Sequence, residues 1–495
     1  MKIMESYTIL PFSFSRFGIN QMLLVNEAGD FYFLDPPNFS SLIEYHMDTS
    51  SSAFKDLKSK HFVTDTDIEP VIDLISTKYR TKKAFLNNFT TLHMIVITAR
   101  CNHRCNYCHA SSEDIKAAGW DMKPEVAKKV VEMIFQSPSQ NIKIEFQGGE
   151  PLLNWSIVKE IVLYAKELNK KCKKDLEFVL CTNLTLINED HIAFIKDNNV
   201  LLSTSLDGPK DIHDANRIMR NGQSSHKNFI EKLEFVRQHL GQGSVSALMT
   251  ASVISLNRMK EIIDEYVRLG FCGVFMRALN PFGYAKSSYK QLGYSTEEFT
   301  DSYKDTLSYI IDLNIKGTYF AEFFASLLLT RILTPFSTGF VDLESPAGTG
   351  ICGAIYDQNG DVYPCDEARM LAKAGDKKFL LGNVMNNSYA DIFLGETLQN
   401  IIANSCVETL PGCSSCVFQI YCGSDPVRNY ADQGDIIGHR PTGSFCKKHK
   451  TIFEHLFKLI REDKQEVMDV FWSWITKRPI GLMKHVELSG QTIKN

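Results

Sequence analysis

Cys101, Cys105 and Cys108 stand in the run CNHRCNYC, directly after the apolar, strand-like stretch Thr91 to Thr98. Three thiolates in so short a loop can hold three corners of one iron-sulfur cube and leave the fourth iron without a protein ligand. A structural site closes its shell with a fourth Cys or His, whereas a catalytic site keeps one position free for substrate or cofactor. The alternative for the same residues is a zinc knuckle with His103 or His109 as fourth ligand. Most of the 13 cysteines fall near residue 101 or between Cys352 and Cys446. That odd, clustered set reads as metal ligation in a reducing compartment, not as a disulfide framework, so a cytoplasmic, oxygen-sensitive protein is expected. Cys172, Cys181 and Cys272 lie apart and read as buried or bystander thiols.

The elements that position these residues follow from periodicity. Strand signals at Leu92 to Thr98, Ile142 to Gln147, Leu176 to Thr182, Val200 to Leu206, Val245 to Ile254 and Gly273 to Leu279 alternate with helical patterns such as PEVAKKVVEMIF and MKEIIDEYVRLG. Repeated βα units imply a parallel sheet, and six of them suggest an α/β fold built on a partial (β/α)6 barrel. Ligands in such barrels bind at the carboxyl ends of the strands. The second strand ends in GGEP, Gly148 to Pro151, whose glycines let backbone approach a ligand and whose Glu150 could bind an ammonium group. The same tetrapeptide also suits a tight strand-to-helix turn. The third strand ends at Asn183, the fourth at Ser205 and Asp207 with Arg217 downstream, and the sixth at Arg277. Arg217 could fork a carboxylate of a ligand or pair with Asp214 on a helix face.

The spacing CNHRCNYC resembles the signature of the radical SAM enzymes, and GGEP one strand later strengthens the likeness. The resemblance implies that Cys101, Cys105 and Cys108 ligate a 4Fe-4S cluster whose free iron chelates S-adenosylmethionine. Tyr107 would lie against the adenine, unless it is an ordinary loop aromatic. Gly148, Gly149 and Glu150 would hold the amino group. Asn183 stands where relatives carry TNG, but Leu184 replaces the glycine, which implies a different backbone path there. Ser205 and Arg217 match positions that contact the ribose and carboxylate, and Arg277 points toward the same rim.

The C-terminal cysteines resemble the SPASM domain, which carries auxiliary iron-sulfur clusters. Cys413, Cys416, Cys422 and Cys446 would hold one cluster. The last cysteine of the central SPASM unit is replaced by Pro426, so Cys352 and Cys365 could hold a second cluster only with Cys406, Asp425 or a substrate atom added; otherwise they are remnants or a zinc site. Asp366 matches the place of a proposed catalytic base in sulfatase-maturing relatives, where a carboxylate could accept a proton from an oxidised substrate radical; it could equally be a surface residue of a YPCD turn.

Before the barrel, SYTILPFSF, QMLLVN and DFYFLD read as strands and three helical segments follow. Such an α+β module resembles the winged-helix-like leader-peptide recognition domains of peptide maturases, which bind a peptide as an added strand; the alternative is a cap on the open barrel. The 495 residues are 44% hydrophobic and carry a formal charge of -4, which gives no electrostatic reason to expect nucleic acid or an anionic membrane as partner. The start, MKIMESYTILPF, has no secretory pattern, and Tyr319 to Leu333 is too short and polar for a membrane span. The expected division is an N-terminal module over 1–90, the barrel over 91–315, a connector over 316–345, the SPASM-like domain over 346–450 and a helical tail over 451–495.

Taken together, these segments most resemble the His-Xaa-Ser system radical SAM maturases. The resemblance implies an enzyme in which a 5'-deoxyadenosyl radical takes hydrogen from a side chain of a ribosomally made precursor peptide, giving a side-chain cross-link. It implies an electron donor such as flavodoxin or ferredoxin, and commonly a second radical SAM protein. The competing readings are a formylglycine-type sulfatase maturase and a non-catalytic iron-sulfur partner of a second maturase.

Overall fold

The computed structural model describes residues 7–481. Residues 1–6, at the start of the N-terminal module and of the stretch read as lacking a secretory pattern, and residues 482–495 of the C-terminal tail lie outside the described residues.

The frame is a nine-stranded sheet. β1 (Leu92–Thr98), β2 (Asn141–Gly148), β3 (Asp175–Cys181), β4 (Val200–Ser205), β5 (Val245–Thr250) and β6 (Met276–Arg277) lie side by side in chain order, and all are parallel. Parallel neighbours need crossovers, and each crossover carries a helix: Pro124–Ile134, Trp155–Cys172, Glu189–Asn198, Ser225–Leu240 and Met259–Arg268. Val126, Val130 and Ile134, then Ile157, Ile161 and Ala165, recur four apart and bury one helix face on the sheet. The strands supply Ile95, Ile97, Ile144, Phe146, Phe178 and Leu180 to the same core.

Two strands are shorter than their sequence signals. β5 stops at Thr250 because Ser252 and Ser255 form a capping box that starts the helix Val253–Leu256. The sixth signal divides: Gly273–Val274 pairs with Ala321–Glu322, and only Met276–Arg277 joins β5. A side chain at Gly273 would sit 2.5 Å from the Ala321 carbonyl oxygen, so this close pairing requires glycine.

At its other edge, β1 pairs in parallel with β7 (Gly353–Tyr356), which turns into the antiparallel β8 (Asp361–Tyr363) and then β9 (Gly382–Asn383). The C-terminal cysteine region is therefore built onto the barrel sheet itself. His93 on β1 clasps the junction, with Nδ1 3.1 Å from the Tyr356 hydroxyl and Nε2 3.1 Å from the Thr90 carbonyl oxygen.

The N-terminal module holds an antiparallel sheet of Phe12–Arg16, Met22–Asn26 and Phe31–Leu34 with helices Pro36–Ile43, Ser52–Ser59 and Glu69–Lys82. The Asn26 side chain accepts from the amides of Ala28 and Asp30 and shapes the turn. The module docks on the C-terminal half: the Tyr421 hydroxyl donates to the Gly29 carbonyl at 2.8 Å, Lys82 donates to the Arg331 carbonyl at 2.8 Å, and Phe31 packs on Phe457. The apolar stretch before residue 333 forms the helix Phe323–Leu333, which buries Phe324, Leu328 and Ile332. Among the described residues no helix is long and apolar enough to cross a membrane.

Candidate functional site

A cavity of about 580 Å³ opens at the carboxyl ends of the parallel strands, and Cys101, Cys105 and Cys108 all line it. Their loop leaves β1 and is pinned at both sides. The Cys101 amide donates to the Glu113 carbonyl at 3.0 Å, and the short strand His103–Cys105 pairs antiparallel with Arg217–Met219, setting Cys105 opposite Arg217. Burial pushes the Cys101 and Cys105 thiols up, and their neighbouring thiols add to the shift. Thiols so placed ionise when a cation binds them. Three thiols without a fourth ligand fit the open-iron cluster. His103 is buried with neither ring nitrogen hydrogen-bonded, and His109 Nε2 accepts from the Asn280 amide at 3.4 Å. Among the described residues no three His, Cys, Asp or Glu side chains, the three cysteines of this loop included, are already drawn together around a single ion.

Gly148 and Gly149 line the cavity, and Glu150 is buried behind its lining residues. A Cβ on Gly148 would lie 2.2 Å from the Thr98 carbonyl oxygen, and one on Gly149 2.2 Å from that of Arg100. Both glycines are thus required by the tight approach of the GGEP loop to the end of β1. The Glu150 carboxylate is fully buried and committed: it accepts from Thr182 Oγ1 at 2.7 Å, the Asn183 amide at 2.8 Å and the Leu152 amide at 3.1 Å. Burial pushes its carboxyl up to about 7 against those hydrogen bonds. Glu150 therefore ties β2 to β3. Asn183 lines the cavity and is held by Asn102 and Thr185. Leu184 takes the left-handed conformation, φ 65°, with its side chain wholly buried. The backbone path of a glycine is kept there despite the strain a side chain brings.

Tyr107, Ser205, Arg217, Arg277 and Asp366 line the same cavity. Arg217 does not pair with Asp214, whose oxygens accept from Ser224, Ser225 and the His226 amide. It reaches Asp207 instead, and lies 5.5 Å from the centre of the Tyr107 ring. The Tyr107 hydroxyl also donates to Asp207, and the Asp207 amide donates to His213 Nδ1 at 3.2 Å. Burial pushes the Tyr107 phenol well up, which keeps it a donor. Arg277 lies 3.5 Å from Glu367, and Asp366 is held by Arg369 at 2.9 Å. Cys181, read as a bystander, also lines the cavity from the end of β3.

Cys413, Cys416, Cys422 and Cys446 converge on one small cavity of about 40 Å³ beside Phe418, Phe445 and Phe453. Burial and the neighbouring thiols push Cys416, Cys422 and Cys446 up, the donor chemistry of an auxiliary cluster. Cys352 and Cys365 are not brought together in this way. Cys365 lines a second cavity of about 320 Å³, whereas Cys352 packs among Phe85 and Ile351. Cys406 lies elsewhere, its Sγ 3.6 Å from the Ile402 carbonyl and beside the Lys83–Glu408 pair. Asp425 does line the second cavity, together with Asp342, Glu367, Arg428 and Lys448. One thiol in a ring of charged side chains does not fit a second auxiliary cluster. Periodicity gave no sign of this ring, because its members come from four separate segments.

Comparison with known proteins agrees with this geometry. Residues 95–275 match the Radical SAM superfamily, and residues 353–417 match SPASM, an iron-sulfur cluster-binding domain. The chain is 24% identical over 376 residues to a cysteine-type anaerobic sulfatase-maturating enzyme of Clostridium novyi, covering 72% of this chain and 92% of that one. It is 23% identical over 409 residues to a serine-type anaerobic sulfatase-maturating enzyme of Bacteroides thetaiotaomicron, covering 75% and 91%. Its fold is similar to that of native anSMEcpe with bound AdoMet and Cp18Cys peptide, with TM-score 0.62 at 20% identity over 75% of this chain and 98% of that one. It is also similar to Streptococcus suis SuiB bound to precursor peptide SuiA, with TM-score 0.53 at 14% identity over 89% and 100%. A 4Fe-4S cluster, S-adenosylmethionine and auxiliary iron-sulfur chemistry follow from the two domains. The chain carries a radical SAM domain followed by a SPASM domain and is a radical SAM enzyme of the SPASM type.

Proposed function

We propose that this enzyme modifies a peptide, abstracting hydrogen from one of its side chains and forming a side-chain cross-link in a ribosomally made precursor. The observation that carries the reading is one cavity lined at once by Cys101, Cys105 and Cys108, the Gly148–Gly149 backbone, Arg217, and the Asp366 side chain contributed by the C-terminal domain. Cys101, Cys105 and Cys108 would hold the first cluster, and Cys413, Cys416, Cys422 and Cys446 an auxiliary one. With S-adenosylmethionine bound and one electron supplied, the first cluster provides a carbon radical able to take hydrogen from an unactivated carbon.

The chain's own residues bind and orient. The Gly148–Gly149 backbone, Asn183 and Ser205 offer hydrogen-bonding groups along the strand ends, and Arg217 offers a charge anchored by Asp207. The Tyr107 ring forms a wall and helps exclude water. Asp366, steadied by Arg369, would accept the proton released when the substrate radical passes one electron to the auxiliary cluster that Cys413, Cys416, Cys422 and Cys446 would hold. A one-electron donor such as flavodoxin or ferredoxin, and a second radical SAM protein, would work with it. The division at residues 90, 315, 345 and 450 goes with this reading, the first unit serving peptide recognition: no described residue of it lines either large cavity, as a cap would.

A formylglycine-type maturase is the second reading, favoured by the names of the curated relatives. Pro426 and the added N-terminal module set this chain apart from it. Anaerobic reconstitution with S-adenosylmethionine, reductant and His-Xaa-Ser peptides tests the proposal. A product lighter by two hydrogens, formed together with 5'-deoxyadenosine, supports the cross-link. Conversion of a sulfatase-derived cysteine or serine peptide alone would support the second reading, and no 5'-deoxyadenosine at full cluster loading would sink both.

A further inference from the structure

The second cavity opens onto the first, since Gln147, Leu248, Arg277 and Asp366 line both. Its wall carries four carboxylates, Asp342, Asp366, Glu367 and Asp425, against three cations, Arg277, Arg428 and Lys448. Several of these are matched already. Glu367 lies 3.5 Å from Arg277 and Asp366 2.9 Å from Arg369. Arg428 donates to Asn280 Oδ1 at 2.8 Å and Ser444 Oγ at 3.3 Å, with Asp432 3.6 Å from its Nε.

Three groups are not matched. Among the described residues neither Asp342 nor Asp425 has a cation within 4.0 Å of its carboxylate; Asp425 uses one oxygen to cap the helix Pro426–Gln433 through the Arg428 amide at 2.9 Å. Lys448 pairs with no carboxylate, and its ammonium rests over the rings of Phe324 at 5.6 Å and Phe445 at 5.9 Å. Arg428, only 9% exposed, also keeps its Nε without a hydrogen-bond acceptor.

Enclosed carboxylates without a partner are costly. Asp342 and Asp425 both act on the Lys448 ammonium at longer range; two unpaired carboxylates against that one cation leave one negative charge over, which favours a cation that arrives with a ligand. The rings of Phe275, Phe299, Phe324 and Phe340 give that ligand an apolar, π-rich wall, suited to a methylene stem and a cationic head. The ammonium of Lys448, paired with no carboxylate within 4.0 Å, calls for a carbonyl on the same molecule. A basic residue within a peptide carries head, stem and carbonyl together.

We propose that the second cavity binds a lysine or arginine side chain of the peptide substrate, its head taken by Asp342 and Asp425, and thereby holds the reacting residue in the first cavity. This rests on the peptide reading above, and the test separates the two. The reconstituted full-length enzyme, loaded with S-adenosylmethionine, is titrated with N-acetyl-lysine N-methylamide, its arginine counterpart and the neutral norleucine amide, with 5'-deoxyadenosine followed in parallel. The lysine and arginine amides are expected to bind about tenfold tighter than the norleucine amide. Asp342→Asn and Asp425→Asn should each remove most of that preference while iron content and thermal unfolding stay unchanged; Asn at 425 retains a capping oxygen. Equal binding of lysine and norleucine amides, or an undiminished preference in both variants, overturns the proposal. Lost 5'-deoxyadenosine formation with the preference intact would count against the radical reading and support this one.

Discussion

Arg217 Nε lies 3.3 Å from Asp207 Oδ1, and the same fully buried carboxylate receives the Tyr107 hydroxyl. Two side chains from different loops of the cavity wall are thus oriented by one group beneath them. Asp207→Ala leaves the Arg217 guanidinium buried without its partner, which costs about 3–5 kcal/mol. Anaerobic urea unfolding should show that loss. In Asp207→Asn, which keeps the volume, S-adenosylmethionine should bind about tenfold more weakly with iron content unchanged.

Iron analysis separates the cysteine sets. The reconstituted enzyme should hold about eight irons per chain, two cubes of four. Cys422→Ala should lower this to about four, and Cys101→Ala should do so while abolishing 5'-deoxyadenosine formation. Cys352→Ala should leave it unchanged. A wild-type content near twelve would contradict the charged second cavity.

The GGEP loop has no room for a methyl group. Gly149→Ala places a Cβ 2.2 Å from the Arg100 carbonyl oxygen, beside Cys101. Such overpacking costs about 1–3 kcal/mol and moves the loop. Cleavage of S-adenosylmethionine should fall about a hundredfold while the SPASM irons are retained.

Acid should weaken the junction between barrel and C-terminal domain. Burial pushes the His93 imidazole down to about 3, with only the Thr90 carbonyl bond opposing it. A base whose folded value is depressed contributes stability that is full above its unfolded value of about 6.5 and is lost as pH falls toward the folded one. Between pH 6.5 and 5 this group should remove about 2 kcal/mol. Urea titrations at the two pH values should show a decrement larger by that amount in the wild type than in His93→Gln, since the other buried imidazoles, His103 and His109 among them, contribute equally to both.

Much of the frame is written in short-range pattern. Apolar residues four apart marked the crossover helices, and the alternating strand signals marked β1 to β5 within a residue or two, apart from the end of β5. There a serine capping box outweighed β-propensity, and at the sixth signal pairing with Ala321–Glu322 split the strand. The cysteine spacing was legible because three thiols within one loop are local.

What the sequence by itself determined is therefore the three-cysteine loop, the parallel βα frame under it and the four-cysteine set behind it. Only the tertiary structure decided the partners. Glu150 is taken by Thr182, Asn183 and Leu152, Arg217 by Asp207, and Cys352 is separated from the cavity that Cys365 enters. These contacts join residues far apart in the chain. Which carboxylate meets which cation depends on how loops from separate strand ends and the C-terminal domain pack, and spacing along the chain does not encode that.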